Sequence, residues 1–160
     1  MTEPAENVGP GSIAAAAFAE LRAIYEALDA EVARRAPVCL LSGRCCRFEE
    51  YGHTLFVSRL EAELLVDQAP APSRPLDDGR TCPWQDAHGR CTARAGRPLG
   101  CRAYFCDPAY EPIAYEVSEP FIGRLKELGR NLGIPWDYRP LHQHLGRLRE
   151  EGRLEVEIVS

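Results

Sequence analysis

Seven cysteines are the residues of this sequence whose type and spacing point most directly to chemistry. They all lie in one stretch of the chain, at Cys39, Cys45, Cys46, Cys82, Cys91, Cys101 and Cys106. A thiolate binds soft metal ions such as Zn²⁺ and the irons of iron–sulfur clusters, and it is also a nucleophile and a redox group. The sequence therefore predicts a metal, cluster or thiol redox site built from these residues.

The rest of the sequence favours metal binding over a disulfide framework. The first eleven residues carry two glutamates and no lysine or arginine, and the apolar run that follows is short and rich in alanine, unlike a secretory signal. We therefore expect a cytoplasmic protein, in which thiols stay reduced. Seven is also an odd number, so the cysteines cannot all pair with one another.

The spacing divides the cysteines into two groups. The first is Cys39, Cys45 and Cys46, and the second, after a gap of 35 residues, is Cys82, Cys91, Cys101 and Cys106. Two C-x2-C pairs would be typical of a zinc ribbon, and neither group contains one. A zinc ion and a [4Fe–4S] cluster each take four ligands. The pattern thus indicates ligation but leaves open which metal is bound and which four cysteines bind it.

The motifs around these cysteines resemble the YkgJ-type cysteine-cluster family, which is described as a zinc- or iron-chelating domain. The similar stretches in its second half are Cys82-Pro83-Trp84, Gly89-Arg90-Cys91 and Arg97-Pro98-Leu99-Gly100-Cys101-Arg102. The first half is matched by the Cys39–Cys46 segment, an apolar run and a helix that opens near Glu61. The resemblance covers about residues 36–107. It implies zinc or an iron–sulfur cluster, and the surplus thiols favour the cluster.

One position departs from the family pattern. Ser42 stands where the family usually has a cysteine, and a neutral hydroxyl is a poor ligand for soft metals. We hypothesise that Cys106 replaces it, because family members often lack a cysteine there. The adjacent Cys45 and Cys46 point apart in extended backbone, so we expect one of them to ligate and the other to bridge, pack or act in redox chemistry.

Arginines and histidines near the cysteines are secondary candidates. Five arginines are interpreted either as donors that offset thiolate charge or as a compositional bias in a chain with one lysine: Arg44, Arg47, Arg90, Arg97 and Arg102. His88 lies between two cysteines, and we interpret it as a turn residue in preference to a ligand. His142 and His144 are two residues apart, which on a helix puts them on different faces, and we expect them at the surface.

Helices are expected to position the cysteine region. Residues 13–36 are strong helix formers whose apolar positions step by three and four, namely Phe18, Leu21, Tyr25, Leu28 and Val32. We interpret this stripe as packing inside the chain, and a partner protein that docks on it is the alternative. Further predicted elements are a strand at His53–Val57, a helix opened by a capping box of Ser58 and Glu61, a helix capped by Ser118 with Pro120 in its first turn, a helix over Pro140–Glu150 and a strand over 154–158.

These elements predict an α+β fold: a small, mostly helical single domain with an irregular cysteine-rich metal-binding core and a few short strands. Residues 1–11 are expected to form a disordered tail, and residues 12–160 one domain with an N-terminal helix (12–36), a cysteine-cluster region (37–107) and a helical region (108–160). The net charge of −5 argues against a nucleic-acid partner, and no apolar run is long enough to span a membrane.

The sequence thus predicts a cytoplasmic protein that binds a metal ion or an iron–sulfur cluster. It contains no recognised catalytic motif, which favours a binding protein over an enzyme. Two alternatives are a thiol redox protein that uses the Cys45–Cys46 pair and a metal-stabilised interaction module.

Overall fold

Within the residues that the structure describes, five helices and two short strands make up the regular structure. The computed structural model describes residues 10–37, 46–50, 52–105 and 107–159, with the side chains of 10–14 outside that description. The elements are α1 (Pro10–Arg35), β1 (Phe56–Ser58), α2 (Arg59–Gln68), α3 (Leu99–Ala103), α4 (Ala114–Asn131), β2 (Tyr138–Pro140) and α5 (Leu141–Glu150). Single 3₁₀ turns at Arg94–Gly96 and Glu111–Ile113 precede α3 and α4. The predicted α+β class is confirmed.

The apolar stripe of α1 packs inside the chain, as the sequence predicts. All five of its members are buried, and they contact side chains of α3 and α4: Phe18, Leu21, Tyr25, Leu28 and Val32. The helix ends at Arg35, where Ala36 takes a positive φ of 49° and Pro37 follows. Because the stripe is covered by the chain's own helices, it is not available to a partner protein in this structure.

Two hydrophobic cores lie on either side of α2. The helical core is formed by α1, α3 and α4 together with Leu60 and Leu64 of α2. The cysteine core contains two buried cysteines and lies between α2, α5 and the irregular segment that precedes α3, with these principal members: Cys46, Val57, Leu65, Cys82, Trp84, Leu141, Leu145 and Leu148. Successive residues of α2 therefore contribute to both cores.

Glu61 joins the elements at the boundary of the two cores. The predicted capping box is confirmed, with the Ser58 backbone N–H donating to Oε2 of Glu61 at 3.0 Å and the Glu61 N–H donating to the Ser58 hydroxyl. The Tyr25 hydroxyl donates to Oε1 at 3.0 Å, and the Leu99 N–H at the start of α3 donates to the same oxygen at 2.8 Å. Burial raises the pKa of Glu61 above its ordinary value, against the effect of these hydrogen bonds.

The sheet is an antiparallel pair that the sequence predicts only in part. The strand expected at His53–Val57 is shorter and later, at Phe56–Ser58, and it pairs with β2 in the register Val57 with Arg139. The second strand, β2, was not predicted, because three residues that end in proline give no alternating pattern.

His144 is fully buried, which corrects the prediction of a surface histidine. Its ring nitrogen Nε2 lies 3.0 Å from the Val57 carbonyl oxygen, so the imidazole links α5 to β1. Burial lowers the pKa of His144 below its ordinary value, which favours the neutral ring. His142, on the neighbouring face of the same helix, is only half-buried.

Two predicted elements near the C-terminal end are wrong in detail. Helix α4 begins at Ala114 rather than at Ser118, so Pro120 lies inside the helix, and the Ser118 hydroxyl donates to the Tyr115 carbonyl instead of capping the helix. Residues 154–158 do not form a strand, and their one pairing is an isolated parallel bridge between Leu76 and Ile158. The alternating pattern there places Leu154 in the cysteine core without a neighbouring strand.

Candidate metal centre

The four cysteines within the described residues line one small cavity. Cys46, Cys82, Cys91 and Cys101 surround a space of about 20 Å³ in company with Arg97 and apolar side chains. Cys46 and Cys82 are buried, and Cys91 and Cys101 are half-buried. A space of this size holds about one water molecule or one ion. The other three predicted site residues, Cys39, Cys45 and Cys106, lie outside the described residues, as does Ser42.

Backbone hydrogen bonds bring three of these cysteines together from distant parts of the chain. The Cys82 N–H donates to the Cys46 carbonyl at 2.8 Å, which joins the two predicted cysteine groups. Cys91 forms an isolated antiparallel bridge with Gln85, so a tight hairpin returns the chain to the cavity. The hairpin turns at Gly89, whose φ of +78° suits a glycine.

The hairpin confirms the interpretation of His88 as a turn residue. Oδ1 of Asp86 accepts hydrogen bonds from the backbone N–H groups of His88 and Arg90, both at 2.9 Å. The His88 side chain is exposed at the tip of the turn and does not line the cysteine cavity.

Cys101 reaches the cavity from helix α3, which is held at both ends. The Leu99 N–H in its first turn donates to Glu61, as described above. At its C-terminal end Arg102 donates to the carbonyls of Arg97 and Ala95 at 2.7 and 2.8 Å and to Asp29 of α1 at 2.7 Å. The Arg102 guanidinium also lies over the Tyr25 ring. These contacts give Arg102 a structural role that neither interpretation from the sequence, charge compensation at the cysteines or compositional bias, anticipated.

Cys46 and Cys91 are in direct contact. The Cys46 thiol donates a hydrogen bond to the sulfur of Cys91, and this bond is the main cause that lowers the pKa of Cys91 to about 6. Burial acts in the opposite direction, and the backbone of Ala93 and the charges of Arg97 and Arg94 add smaller stabilising effects. Cys91 is therefore prepared to be a thiolate at neutral pH.

Arg97 is the predicted arginine that faces the cysteines. Its side chain lines their cavity, and its Nε atom is buried without a hydrogen-bond partner among the described residues. A buried N–H of a charged group that lacks an acceptor is costly, so a native acceptor is expected at this position. Arg47 instead bonds Glu50 on the surface, and Arg90 is exposed.

The described cysteines do not form a closed coordination shell by themselves. Over residues 10–37, 46–50, 52–105 and 107–159, no three His, Cys, Asp or Glu side chains stand close enough together to hold a metal ion. The cavity thus presents a contacting pair, Cys46 and Cys91, with Cys82 and Cys101 on its walls. What the arrangement offers is thiol sulfur and one cationic donor, which are suited to a soft metal or to thiol redox chemistry.

Comparison with known proteins adds no relative: no protein-family model, no curated protein and no solved structure matches this chain. The similarity to the YkgJ-type family therefore rests on the cysteine motifs alone. Within the described residues, no helix is both long and apolar enough to cross a membrane.

Sequence reasoning missed a second, larger cavity that shares Cys101 with the first. It has a volume of about 410 Å³ and lies between β1, α3, α4 and β2. Tyr104 and Phe105, which follow α3, line this cleft. No local pattern in the sequence points to it, because its walls come from four separate segments.

Proposed function

We propose that this protein binds a metal ion or an iron–sulfur cluster through its cysteines. The observation that carries the proposal is the convergence of Cys46, Cys82, Cys91 and Cys101 on one cavity from segments up to 55 residues apart in sequence. These four are the first candidates for ligands, and Cys39, Cys45 and Cys106 are the others. The two groups of cysteines would then serve one site, in an α+β domain whose irregular segment the bound group helps to order.

The surroundings of the cavity fit such a group. The unpartnered Nε of Arg97 lacks an acceptor, and a metal-bound thiolate or a cluster sulfide is an acceptor that carries negative charge. The direct contact of Cys46 with Cys91 already favours a thiolate there. A zinc ion would supply a structural cross-link, and a cluster would supply electron transfer as well.

A cytoplasmic location accords with this proposal, because thiols stay reduced there. No catalytic activity is assigned to the site.

Metal analysis of freshly purified protein, prepared without oxygen, tests the proposal. We expect one equivalent of zinc, or of iron with sulfide and a brown colour, to copurify with the chain. Cys46→Ser, Cys82→Ser, Cys91→Ser and Cys101→Ser should each lower the metal content. Cys106→Ser tests separately whether this residue replaces the family cysteine missing at Ser42.

His88→Ala is the matched control for these variants. It changes a potential ligand that lies between Cys82 and Cys91 in sequence but stands outside the cavity, so its metal content should equal that of the wild type. The proposal fails if the pure protein carries no metal and none can be restored under reducing conditions. Equal metal content in all four cysteine variants would also contradict it.

A thiol redox function is the second candidate, and the Cys46–Cys91 contact favours it. In this reaction the Cys91 thiolate attacks a peroxide and displaces water or an alcohol, which leaves a sulfenic acid. The Cys46 sulfur then attacks that sulfur and releases water, which forms a disulfide. Overall, two thiols lose two electrons and two protons to the peroxide. The pair predicted from the sequence was Cys45–Cys46, of which Cys45 lies outside the described residues.

Peroxide treatment of metal-free protein followed by peptide mapping distinguishes the pairs. A Cys46–Cys91 disulfide, lost in Cys91→Ser, supports the redox function through this contact. A Cys45–Cys46 disulfide supports the original prediction instead. Thiols that all remain free under excess peroxide contradict both.

A further inference from the structure

The 410 Å³ cleft beside Cys101 has the size and lining of a small-molecule site. Binding sites of small ligands span roughly 300–1,000 Å³ and combine mostly apolar walls with a few polar groups. Here the walls are largely aromatic and aliphatic, and the polar side chains at the cleft include Thr54, Ser118 and Glu111. Cys101 forms part of the wall of this cleft and of the cysteine cavity, so the two spaces are adjacent.

Aromatic rings at the cleft are exposed to an unusual extent. Phe56 is 45% exposed and Tyr115 is 70% exposed, although both are large hydrophobic residues. Tyr138 stacks on Phe56 with 5.8 Å between the ring centroids, and Tyr104 stacks on His53 at 5.3 Å. Because stacking covers one face of each of these rings, the exposed rings of Phe56 and Tyr115 are the ones open to a ligand.

The charged groups at the cleft favour a cation over an anion only modestly. Its described lining includes one carboxylate, Glu111, one histidine, His53, and no lysine or arginine. Burial raises the pKa of Tyr138, and the charges of Glu61 and Glu119 act in the same direction. An anionic ligand would find no lysine or arginine among the described lining residues, whereas a cation would be attracted to both the carboxylate and the ring faces.

The ammonium group of a lysine already lies against a row of stacked rings that leads to the cleft, formed by Trp136, Tyr138 and Phe56. Nζ of Lys126, the one lysine of the sequence, lies 5.6 Å from the centroid of Trp136. Trp136 stacks on Tyr138 at 5.1 Å, and Tyr138 in turn stacks on Phe56 at the cleft. The aromatic row thus accommodates a cation at the end away from the cleft and leaves the Phe56 end open.

We propose that this cleft binds a small organic cation, in which apolar carbon surrounds a positively charged nitrogen. The recognition is by cation–π contact with the exposed rings of Phe56 and Tyr115 and by charge attraction to Glu111. The proposal does not depend on a metal, so its test is made on both metal-loaded and metal-stripped protein. Binding in either form is separate from the outcome of the metal analysis.

A series of three ligands of equal shape tests the role of charge. Choline is the cation, and neohexyl alcohol is its neutral counterpart with carbon in place of nitrogen. The anion is tert-butylacetate, the conjugate base of 3,3-dimethylbutanoic acid, which has the same carbon skeleton as the alcohol. Calorimetric titration should give choline an affinity roughly 3- to 30-fold above that of the alcohol, and tert-butylacetate should bind most weakly. Amide NMR shifts should change at Thr54, Gly100 and Tyr115 of the cleft.

Paired variants locate the site. Glu111→Gln should weaken choline binding several-fold at low salt, whereas Glu116→Gln removes the same charge from an exposed position on α4 that does not line the cleft and should have no effect. Phe56→Ser should weaken binding further, because it removes a ring face. Circular dichroism confirms that each variant is folded before it is titrated.

Three results would overturn the proposal. They are equal affinity for the three ligands, stronger binding of the anion, and shift changes confined to residues away from the cleft. A membrane headgroup is a second source of the same chemistry, so sedimentation with phosphatidylcholine vesicles is a separate arm. Vesicle binding that free choline does not compete with would contradict a small-molecule site, and saturable binding of choline with no vesicle binding supports it.

Discussion

The helical core and the cysteine core differ in what holds them together. The helical core is built mainly from three regular helices whose buried side chains interlock, and the fifteen buried members that the structure describes include no cysteine. The cysteine core has one flank made of helices α2 and α5, and the other flank is irregular chain from Ala69 to Pro98 that the tight hairpin and single bridges hold in place. Trp84 is buried at its centre, with its indole N–H donating to the Pro70 carbonyl.

This difference indicates that the two cores depend on different sources of stability. Repeated backbone hydrogen bonds and apolar burial are sufficient for a helical bundle. Irregular chain gains less from the backbone and needs another source of order, which a ligated metal can supply. The four described cysteines lie on the side of the molecule where that need is greatest.

The largest expected effect comes from removal of the proposed metal or cluster. A ligand present at a thousandfold excess over its Kd stabilises a folded protein by about 4 kcal/mol. A strong chelator should therefore lower the thermal midpoint and alter the fluorescence of Trp84 in the cysteine core. The sequence contains two tryptophans, so the Trp136→Phe variant leaves Trp84 as the one source of tryptophan fluorescence. Trp136 is 39% exposed, and its replacement should not disturb the cysteine core. The far-ultraviolet helical signal should decline less than the Trp84 signal.

The cysteine core does not depend on a bound metal for its order if chelation has no effect on the fluorescence of Trp84. If helix content and Trp84 fluorescence are lost together at every chelator concentration, the two cores do not have separate sources of stability, because they then unfold as one cooperative unit.

Leu28→Ala should destabilise the helical core by about 2–5 kcal/mol, since it removes a fully buried side chain and leaves a cavity. Denaturant unfolding measures the change. The same loss is expected in metal-loaded and metal-stripped protein, because Leu28 does not line the cavity that the four described cysteines share. Arg22→Ala, at an exposed position on the same helix, is the control and should change stability by less than about 0.5 kcal/mol. A loss that depends strongly on metal would show that the cores are energetically coupled.

His144 gives the cysteine-core side of the molecule a dependence on pH. Because burial lowers the pKa of His144 in the folded state, the unfolded chain binds the proton more tightly. Its contribution to stability is therefore complete above the ordinary value near 6.5 and is lost as pH falls below it. His144→Gln should lower the free energy of unfolding by about 1–3 kcal/mol near pH 8, because the substitution disturbs the buried hydrogen bond to the Val57 carbonyl.

The matched variant is His142→Gln, on the same helix at a half-buried position. Its unfolding free energy should follow the wild-type dependence on pH between about pH 5 and pH 8, the range in which histidine titrates. The His144→Gln curve should be flatter over that range. Parallel curves for all three proteins would exclude His144 as the source of the dependence.

The parts of this structure that the sequence predicts are those set by local patterns. Helix α1 follows from its apolar stripe, and the capping box of Ser58 follows from residue types three positions apart. The start of α4 was misplaced because Pro120 is usually a first-turn residue, whereas here the preceding 3₁₀ turn begins the helix earlier. The cysteines were identifiable by type, but their convergence depends on a hairpin and on a hydrogen bond between Cys82 and Cys46 that no local rule specifies.

Arg97→Gln tests whether the cysteine cavity holds a negatively charged group. Removal of a cation that donates to a metal-bound sulfur typically lowers metal affinity by about 10- to 100-fold. Competition with a chelator of known affinity measures the change. Arg94→Gln is the control, because Arg94 is exposed and does not line the cavity. An equal and small change in both variants would show that Arg97 acts only through general charge.

The smallest expected effect concerns the contact that joins the two regions. Arg102 is 9% exposed and bonds Asp29 of α1 on one side and the carbonyls of Ala95 and Arg97 on the other. Asp29 is about half exposed, so water screens the pair, and Asp29→Asn should cost about 1 kcal/mol or less. Its effect on metal affinity is the sharper measurement, since Arg102 supports the backbone of Arg97. If metal affinity falls by more than the loss of stability can explain, α1 helps to position the cavity. If the affinity is unchanged, the contacts of Arg102 with the two carbonyls are sufficient.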